Sequence, residues 1–449
     1  MMLDFKYSFK GLVSKLVREG ASFQKCCDYL NKTQWFDEKQ LNDLMCEQLS
    51  KIVKHATLNI TYYKKSIYKN ILDGNNNINL DYFQDVPFLS KEHLYKFSDE
   101  LRLPKWKCPI YSASKTSGTT GKPLTLYRDI YSVNFEHATI FRQWSWAGYR
   151  VGDSFATIRG ELISRNTSPP VFWAYNKIQN ELIMSSFHIS DSTIKGYIKT
   201  LISFKPKFIY CYPQSIFTIL KYAKEKKIDL QSMRVKAVFT SSETVSSELR
   251  NMVKEQLGCL IFDYYNMAER VMPIATCEKG NYHLLEDYGY AEFYPVENTE
   301  SKYELIGSGF LNKKMPLIRY RTGDVVELLP DKEDRECECG RRFRQVKSIV
   351  GRPTNYIIGK NNRQISEAGL THIFYGEDLP IFESQIIQNQ LEEIIIRVVP
   401  LDDFETFHAD KLINAIQNYT GIYPLIEKVD KIDRTKAGKF QFVKRYVNL

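Results

Sequence analysis

Three apolar runs alternate with two helix-like segments between residues 207 and 265, and this pattern constrains the fold more than any other feature of the chain. The runs KFIYCY, VKAVFT and CLIFDYY each have the length of a strand. Pro213 opens the first intervening helix, at a position where its missing N–H costs nothing. Strand, helix, strand, helix, strand predicts a parallel sheet, whose ligands lie beyond the carboxyl ends of its strands.

The rest of the chain predicts a large N-terminal part and a small C-terminal part. Residues 1–105 have helical periodicity, and strand-like runs broken by Gly and Pro precede residue 350. The strand EEIIIRVVP and the helix HADKLINAIQNYTG follow. We therefore predict an α/β fold, with an N-terminal domain over residues 1–350 and a small, mobile α+β domain over residues 351–449.

Composition narrows the class of protein. The 449 residues include 62 basic and 53 acidic side chains, a net charge of +9 with both signs interspersed. This pattern indicates an acidic ligand or weak association with acidic surfaces, and not a nucleic-acid binder. The chain has no apolar secretory segment and no apolar run long enough to span a membrane. Its nine cysteines, an odd number, favour the reducing cytoplasm.

The stretch TSGTTGKP is rich in glycine, hydroxyls and one lysine. Only two residues separate Gly118 from Gly121, whereas a Walker loop needs four before its Gly-Lys pair. Pro123 disfavours a helix at Lys122, and PLTLYRD alternates like a strand. We therefore predict a glycine-rich loop between two strands, which could cradle a phosphate with backbone N–H groups or be only a polar hairpin.

Four potential metal ligands stand out. Cys277 and His283 lie six residues apart, and Cys337 and Cys339 form a C-x-C-G turn. Three cysteines and one histidine are a typical closed set for structural Zn²⁺. The two pairs are far apart in the chain, so free thiols beside an unrelated histidine are the alternative.

Six motifs, in order, resemble those of the adenylate-forming superfamily of acyl-CoA synthetases and ligases. The nearest branch is similar to phenylacetate–CoA ligases and to CapK-like proteins of capsule and O-antigen gene clusters. The motifs are TSGTTGKP (116–123), FTSSE (239–243), DYYNMAE (263–269), RYRTGD (319–324), GRPTN (351–355) and DRTKAGKF (433–440).

This resemblance implies that ATP activates a small carboxylic acid as an acyl-adenylate, with release of pyrophosphate and later transfer to CoA. The implied cofactors are ATP, Mg²⁺ and, for a thioester product, CoA. Lys439, Glu269 and Lys122 are the implied catalytic residues, with Glu269 binding Mg²⁺. The positions that correspond to nucleotide-binding residues are Thr116, Ser117, Gly118, Thr119, Thr120, Gly121, Lys122, Ser242, Glu243, Asp263, Tyr264, Tyr265, Asn266, Met267, Asp324 and Arg352.

Each implied role has a plainer alternative. Tyr265 would pack on the adenine, and Asp324, assisted by Arg352, would accept the ribose hydroxyls. Asp324 could instead form an Asx-turn. Glu269 could be a solvated charge or a helix cap, and Lys439 could be an ordinary solvated lysine.

The chain also departs from the family pattern. Asn266 replaces a glycine, Ala268 replaces a hydroxyl residue, and Thr354 and Asn355 replace an acidic pair at the hinge. These changes bear on the second half-reaction, so an amino sugar, another amine or a carrier-protein thiol is an alternative acceptor. A catalytically inactive, zinc-stabilised binding protein is the alternative from another class.

The acid itself cannot be read from the sequence. Arg270, directly after Glu269, suggests a polar or anionic substrate. A homodimer is left open. The stretch around the following residues could line the acid pocket or belong to the core: Trp144, Trp146, Arg159 and Tyr210 to Tyr212.

Overall fold

The computed structural model describes residues 2–64, 68, 71–75, 77–115, 124–161, 163, 172–297, 299–331, 334–352, 356–360, 364–366, 370, 373–374, 379–435 and 438–447. Its helices are α1 Met2–Arg18, α2 Phe23–Thr33, α3 Glu38–Asn59, α4 Leu80–Gln84, α5 Lys91–Lys96, α6 Ile130–Trp146, α7 Asp191–Phe204, α8 Pro213–Glu225, α9 Ser247–Leu257 and α10 Thr406–Thr420.

The strands follow the same chain order. They are β1 Tyr111–Lys115, β2 Thr125–Asp129, β3 Phe155–Arg159, β4 Trp173–Asn176, β5 Glu181–Ser185, β6 Phe208–Cys211, β7 Ala237–Ser241, β8 Leu260–Tyr265, β9 Ile274–Thr276, β10 Tyr282–Leu284, β11 Gly289–Pro295, β12 Lys302–Gly309, β13 Tyr320–Glu327, β14 Gln345–Val346, β15 Ser348–Gly351, β16 Tyr356–Ile358, β17 Gln364–Ser366, β18 Ile381–Gln390, β19 Glu393–Pro400, β20 Pro424–Lys428 and β21 Val443–Arg445.

The chain forms two compact units, each built from separate segments. The first unit contains residues 1–4, 152–261 and 351–449, and the second contains residues 5–151 and 262–350. The predicted domain division at residue 350 stays a prediction.

The first unit contains the predicted parallel sheet. Strands β5, β3, β6 and β7 lie side by side and parallel, and β4 pairs antiparallel with β5 at the edge. Strands β6 and β7 are buried along nearly their whole length and carry nearly continuous apolar residues, as is typical of a parallel sheet covered on both faces. Pro213 occupies the first turn of α8, and Gly258 ends α9 with a left-handed φ of 68°. The predicted α/β alternation is therefore confirmed.

The C-terminal segment of the first unit has its own sheet and core. Its strand order is β20, β19, β18 and β21, with an antiparallel hairpin at the centre and a parallel strand on each side. Leu412 and Ile416, four residues apart on α10, belong to the same buried apolar cluster as Ile394 and Ile396 of β19. The predicted strand and helix of this segment are confirmed.

The second unit combines helices with antiparallel strands. Helices α1 to α5 fill most of the chain before residue 105, as predicted. Asp37 caps α3 and Ser90 caps α5, and each side chain accepts a backbone N–H from the first turn. Strands β11, β12, β13 and β15 form a sheet of four, and β9 pairs with the end of β8 and with β10. Among the described residues, no helix combines the length and the apolarity that a membrane span requires.

Candidate active site

The glycine-rich loop is flanked by the two strands that the sequence predicts. Strands β1 and β2 pair antiparallel, so that Lys115 lies opposite Thr125. The connecting residues Thr116, Ser117, Gly118, Thr119, Thr120, Gly121 and Lys122 lie outside the described residues. The strand assignment of PLTLYRD is thus confirmed, and the phosphate-binding role of the loop stays a prediction.

In the second unit, two pairs of side chains link the motifs DYYNMAE and RYRTGD. The hydroxyl of Tyr265 donates to Oδ2 of Asp324 at 2.7 Å, and the hydroxyl of Tyr320 donates to Oε1 of Glu269 at 2.9 Å. The structure thus gathers the residues implied for adenine, ribose and Mg²⁺. Tyr320 was missed by the sequence analysis, although it stands within a quoted motif.

Asp324 is held in place by its own turn. Gly323 has a φ of 70°, a conformation that favours glycine, and its N–H donates to Glu304 at 3.2 Å. The backbone N–H of Asp324 donates to Oγ1 of Thr322 at 3.0 Å. The carboxylate of this buried residue accepts the Tyr265 hydroxyl.

The segment after β8 is anchored by a carboxylate that no sequence pattern singled out. Glu136 on α6 is buried and accepts two hydrogen bonds at 3.0 Å from the amide of Asn266. The hydroxyls of Tyr264 and Tyr288 also donate to it, and Nε of Arg270 lies 3.8 Å from its Oε2. The side-chain amide of Asn266 therefore has a structural partner, Glu136, which the glycine usual at this position in the family could not bind.

Other members of the same motif also have partners inside the protein. Oδ2 of Asp263 accepts the Tyr282 hydroxyl at 2.8 Å, and the backbone N–H of Met267 donates to Oδ1 of Asn266. Arg270 has a left-handed φ of 54°, and its Nε lies 3.8 Å from Oε2 of Glu136. The polar or anionic substrate that Arg270 suggests stays a prediction.

The two tryptophans are packing residues of the second unit. Trp144 is buried and stacks edge-on against Tyr149 at 5.1 Å. The indole N–H of Trp146 donates to Gln34 at 2.8 Å, and Arg341 lies 4.1 Å from its ring. The sequence left open whether Trp144 and Trp146 line the acid pocket or belong to the core, and their contacts are those of core packing.

In the first unit, Glu243 joins three parts of the chain at the carboxyl end of β7. Its Oε2 accepts the backbone N–H of Gln214, in the first turn of α8, and its Oε1 accepts the backbone N–H of Phe440, each at 3.1 Å. Burial raises the pKa of Glu243, while these two N–H groups and the charges of Lys439 and Arg434 oppose that rise. The carboxylate therefore connects the sheet edge to the segment that carries Lys439.

Lys439 lies on a tight turn docked against the same edge. The N–H of Gly438 donates to the carbonyl of Thr435 at 2.8 Å, and the carbonyl of Gly438 accepts the Ser186 hydroxyl at 2.9 Å. The N–H of Lys439 donates to Oγ1 of Thr435 at 3.0 Å. The structure thus brings Lys439 beside Glu243, two of the residues that the family resemblance selects.

Arg159 and Ser242 lie at the same edge. The guanidinium of Arg159 lies 4.4 Å from the Tyr210 ring and 4.3 Å from the Tyr212 ring, and donates to the hydroxyls of Ser241 at 2.6 Å and Ser242 at 3.2 Å. These four partners are neutral groups, and the guanidinium lies at the strand ends where ligands of parallel sheets bind.

Arg352 is an exposed residue of the first unit, directly after Gly351, whose φ is 85°. The hinge residues Thr354 and Asn355 lie outside the described residues. The assisting role of Arg352 toward the ribose stays a prediction.

The four sulfur and nitrogen ligands converge in the second unit. The ligand atoms of Cys277, His283, Cys337 and Cys339 lie within 4.8 Å of one another, and three of these residues are buried. Antiparallel pairing of β10 with β9 and with β14 brings the two sequence pairs together. The structure therefore brings together four candidate ligands that the sequence alone could not place near one another.

The geometry of this cluster fits a tetrahedral ion. Zn–S bonds of about 2.3 Å place two thiolates about 3.8 Å apart, and the sulfurs of Cys277 and Cys337 are separated by 3.9 Å. Nε2 of His283 lies 3.5 Å from Sγ of Cys339, and Nδ1 lies 3.3 Å from the carbonyl oxygen of Phe343. A backbone carbonyl at the second ring nitrogen is the contact that typically orients a metal-bound imidazole. A hydrogen bond from Cys277 lowers the pKa of Cys339 and favours a thiolate.

Comparison with known proteins finds a matching C-terminal family model and two kinds of sequence relative. The family model of the CapK C-terminal domain matches residues 357–446. Protein CapK of Staphylococcus aureus is 25% identical over 410 residues, which cover 90% of this chain and 88% of that protein. Phenylacetate-coenzyme A ligase of Aromatoleum evansii is 25% identical over 333 residues, 72% of each chain.

Solved structures show the same fold. A 2-hydroxyisobutyryl-CoA ligase, in the postadenylation state in complex with R3-HIB-AMP, matches with a TM-score of 0.69 at 16% identity, over 92% of this chain and 91% of that chain. Together with the sequence relatives, this fold assigns the chain to the adenylate-forming superfamily, as a ligase with CapK-like and phenylacetate–CoA ligase-like relatives.

Proposed function

We propose that this ligase uses ATP to convert a small carboxylic acid to an acyl-adenylate, releases pyrophosphate, and transfers the acyl group to CoA. The observation that carries the proposal is the docked turn of Lys439. Its neighbour Phe440 is hydrogen-bonded to Glu243, so a cation is held at the sheet edge where ligands of parallel sheets bind.

The chemistry requires such a cation. An acid carboxylate must attack the α-phosphorus of ATP, and the two groups carry like charge. A lysine at that point offsets their repulsion and stabilises the charge that develops in the transition state. The loop of residues 116–122, with Lys122, would hold the leaving pyrophosphate.

The other roles that the family resemblance implies fall mainly on residues of the second unit. Tyr265 would pack on the adenine and Asp324 would accept the ribose hydroxyls, with Arg352 assisting. Glu269 would hold Mg²⁺, a hard ion that prefers carboxylate and phosphate oxygens and would neutralise phosphate charge. The Cys277 cluster would hold a structural Zn²⁺, because a closed set of four ligands leaves no position for substrate.

The acid would carry a polar or anionic group that Arg159 recognises. The guanidinium of Arg159 lies over the rings of Tyr210 and Tyr212 and donates to two serine hydroxyls, so it is positioned before any ligand arrives. A charge-assisted hydrogen bond contributes about 1.5–3 kcal/mol, a factor of roughly 10 to 150 in affinity.

The resemblance to CapK-like proteins favours a cytoplasmic role in polysaccharide biosynthesis, such as capsule or O-antigen decoration. The alternative acceptor is an amino sugar, another amine or a carrier-protein thiol, and the altered motif around Asn266 and Ala268 is the feature that favours it.

Pyrophosphate release from ATP, measured across a panel of carboxylic acids, tests the proposal. We expect release with a subset of acids and none without acid. Adding CoA, hydroxylamine or amino sugars to the same reactions identifies the acceptor by the product formed. A folded, zinc-loaded protein that releases no pyrophosphate with any acid would support the binding-protein alternative.

A further inference from the structure

Helix α1 exposes an unusually apolar face. Its exposed positions follow the spacing i, i+4, i+7, i+8, i+11 and i+12, so they lie on one side of the helix. The residues and their exposed fractions are Phe5 75%, Phe9 61%, Leu12 40%, Val13 47%, Leu16 67% and Val17 44%. We call this set the α1 stripe.

The helix is attached to the protein by its other side. Tyr7 and Gly11, four residues apart and opposite the α1 stripe, are buried. The amide of Asn134 donates to the carbonyls of Val17 and Arg18 at 2.7 and 3.0 Å, which fixes the end of the helix. An ordinary surface helix buries its apolar side and exposes its polar side, so the orientation of α1 is the reverse of the usual one.

The charges beside the α1 stripe are mainly basic. Between residues 2 and 18 the helix has four basic side chains and one acidic side chain, a net charge of +3. Lys6, Lys10 and Arg18 are exposed, whereas Glu19, just beyond the helix, lies within ion-pair distance of Lys15 and His137. A basic helix with exposed Phe and Leu has the chemistry of a segment that lies in the surface of an anionic bilayer.

We propose that the α1 stripe docks this protein on the surface of an anionic phospholipid membrane. The phenylalanines and leucines would enter the acyl region while the lysines meet the phosphates. Charge favours this partner over a second copy of the chain. Twofold pairing through the stripe would place the Lys10 flank of one copy against the same flank of the other, and the whole chain already has a net charge of +9.

Sedimentation with vesicles tests the proposal. We expect the full-length protein to sediment with vesicles of phosphatidylglycerol mixed with phosphatidylcholine, much less with phosphatidylcholine alone, and less as salt increases. The double variant Phe9→Glu/Leu16→Glu should lose this binding. Phe407→Glu is the matched control, because Phe407 on α10 is also 61% exposed, and it should bind like the wild type.

A second variant tests the contribution of the lysine charges to membrane binding. Lys6→Glu/Lys10→Glu should weaken binding by at least about 25-fold, since each lysine near an anionic surface is worth about a factor of five. Equal binding to neutral vesicles, or full binding by Phe9→Glu/Leu16→Glu, would overturn the proposal. The proposal would also be wrong if the wild-type protein did not bind vesicles but formed a dimer by light scattering, and if the variant Phe9→Glu/Leu16→Glu were a monomer.

Discussion

At the residue scale, Gly438 shows how closely the Lys439 turn approaches the sheet edge. Its φ is 75°, and a Cβ added there would lie 2.4 Å from Cα of Gly160 and 3.0 Å from the Phe187 ring. We expect Gly438→Ala to displace the turn and reduce the rate of pyrophosphate release by at least tenfold, since the left-handed conformation alone costs about 1–2 kcal/mol.

Gly148→Ala is the control for this substitution. Gly148 has a similar φ of 81°, but an added Cβ would meet nothing within 4 Å. This variant should lose a similar small amount of unfolding free energy, about 1 kcal/mol, and keep its activity. If both variants retain wild-type activity, the docked turn is not needed for adenylation.

Glu243 connects the same turn to a pH effect. Burial raises the pKa of Glu243 above its ordinary value of 4.5. The folded protein therefore holds the carboxyl proton more tightly than the unfolded chain does. This adds to the free energy of unfolding at low pH, and the addition is lost as the pH rises through the folded-state pKa. Glu243→Gln removes the titration. We therefore expect the melting temperature of this variant, relative to wild type, to increase between pH 4.5 and neutrality.

The lost hydrogen bond to Gln214 or Phe440 adds a constant offset to that difference, because glutamine offers one acceptor oxygen instead of two. Only the dependence on pH is therefore informative. A difference in melting temperature that stays flat over this range would show that Glu243 titrates normally.

The limits of sequence-based prediction are clear for single residues. The motif FTSSE singled out Glu243, but its partner Phe440 is 197 residues away and no local pattern connects the two. Glu136 was missed because a single glutamate in a helix is usually solvated. Its buried partners come from β8 and the segments after it, which only the tertiary structure brings together.

At the scale of elements, α6 supports the connection between β8 and β9 through Glu136. Replacing Glu136 by alanine would leave the hydroxyl of Tyr288, the amide of Asn266 and the charge of Arg270 without their buried acceptor. A donor left without its acceptor inside the protein costs about 1–3 kcal/mol, so the loss for Tyr288 and Asn266 together is about 2–6 kcal/mol. We expect a loss of this size in the free energy of unfolding measured with urea.

Glu47→Ala is the matched control, since Glu47 is also a helical glutamate paired with a cation. Its carboxylate and the ammonium of Lys51 are both more than half exposed. Exposed pairs contribute about 0–1 kcal/mol, so this variant should unfold at nearly the wild-type urea concentration. Equal losses in the two variants would contradict a structural role for the Glu136 network.

The cysteine cluster joins β9, β10 and β14, and metal removal should destabilise that element. We expect one zinc per chain by elemental analysis and a lower melting temperature after treatment with a strong chelator. Cys339→Ser should lower both the zinc content and the melting temperature, because the cluster loses one of its thiolates.

Cys108→Ser is the control for this change, because Cys108 is a free cysteine outside the cluster. It should keep the full zinc content and the wild-type melting temperature. Well under one zinc per chain in the purified wild type would show that the cluster consists of free thiols.

Elements were more predictable than their assembly. The strands and helices from β6 to β8 follow from short apolar runs and from Pro213 and Gly258, which are local signals. The ligands of the cluster were also recognisable as residue types. Their convergence was not, because it depends on the register that pairs Tyr282 of β10 with Val346 of β14.

At the scale of the whole molecule, each compact unit contains some of the residues that the family resemblance implies. Ser242, Glu243 and Lys439 belong to the first unit, and Tyr265 and Asp324 belong to the second. The order of the motifs indicated the family, since an ordered set of six is far more specific than any one of them. The acid and the acceptor cannot be read from the motifs, and Arg159, which we propose recognises the acid, lies outside all six of them.

Lys439 gives the test that applies to the molecule as a whole. We expect Lys439→Ala to reduce acid-dependent pyrophosphate release by at least about 100-fold, the usual effect of removing one group that stabilises transition-state charge. Transfer from a supplied acyl-adenylate to CoA should persist, because that step does not join two anions at the α-phosphorus. The melting temperature should change little, since the side chain is only partly buried.

Lys431→Ala is the control, an exposed lysine in the same C-terminal segment whose loss should leave both half-reactions intact. A Lys439→Ala protein that releases pyrophosphate at the wild-type rate would remove Lys439 from the catalytic residues. If both half-reactions fell together, Lys439 would have a role in positioning the C-terminal segment and not in adenylation alone. Selective loss of the first half-reaction is the outcome that the docked turn and its hydrogen bond to Glu243 lead us to expect.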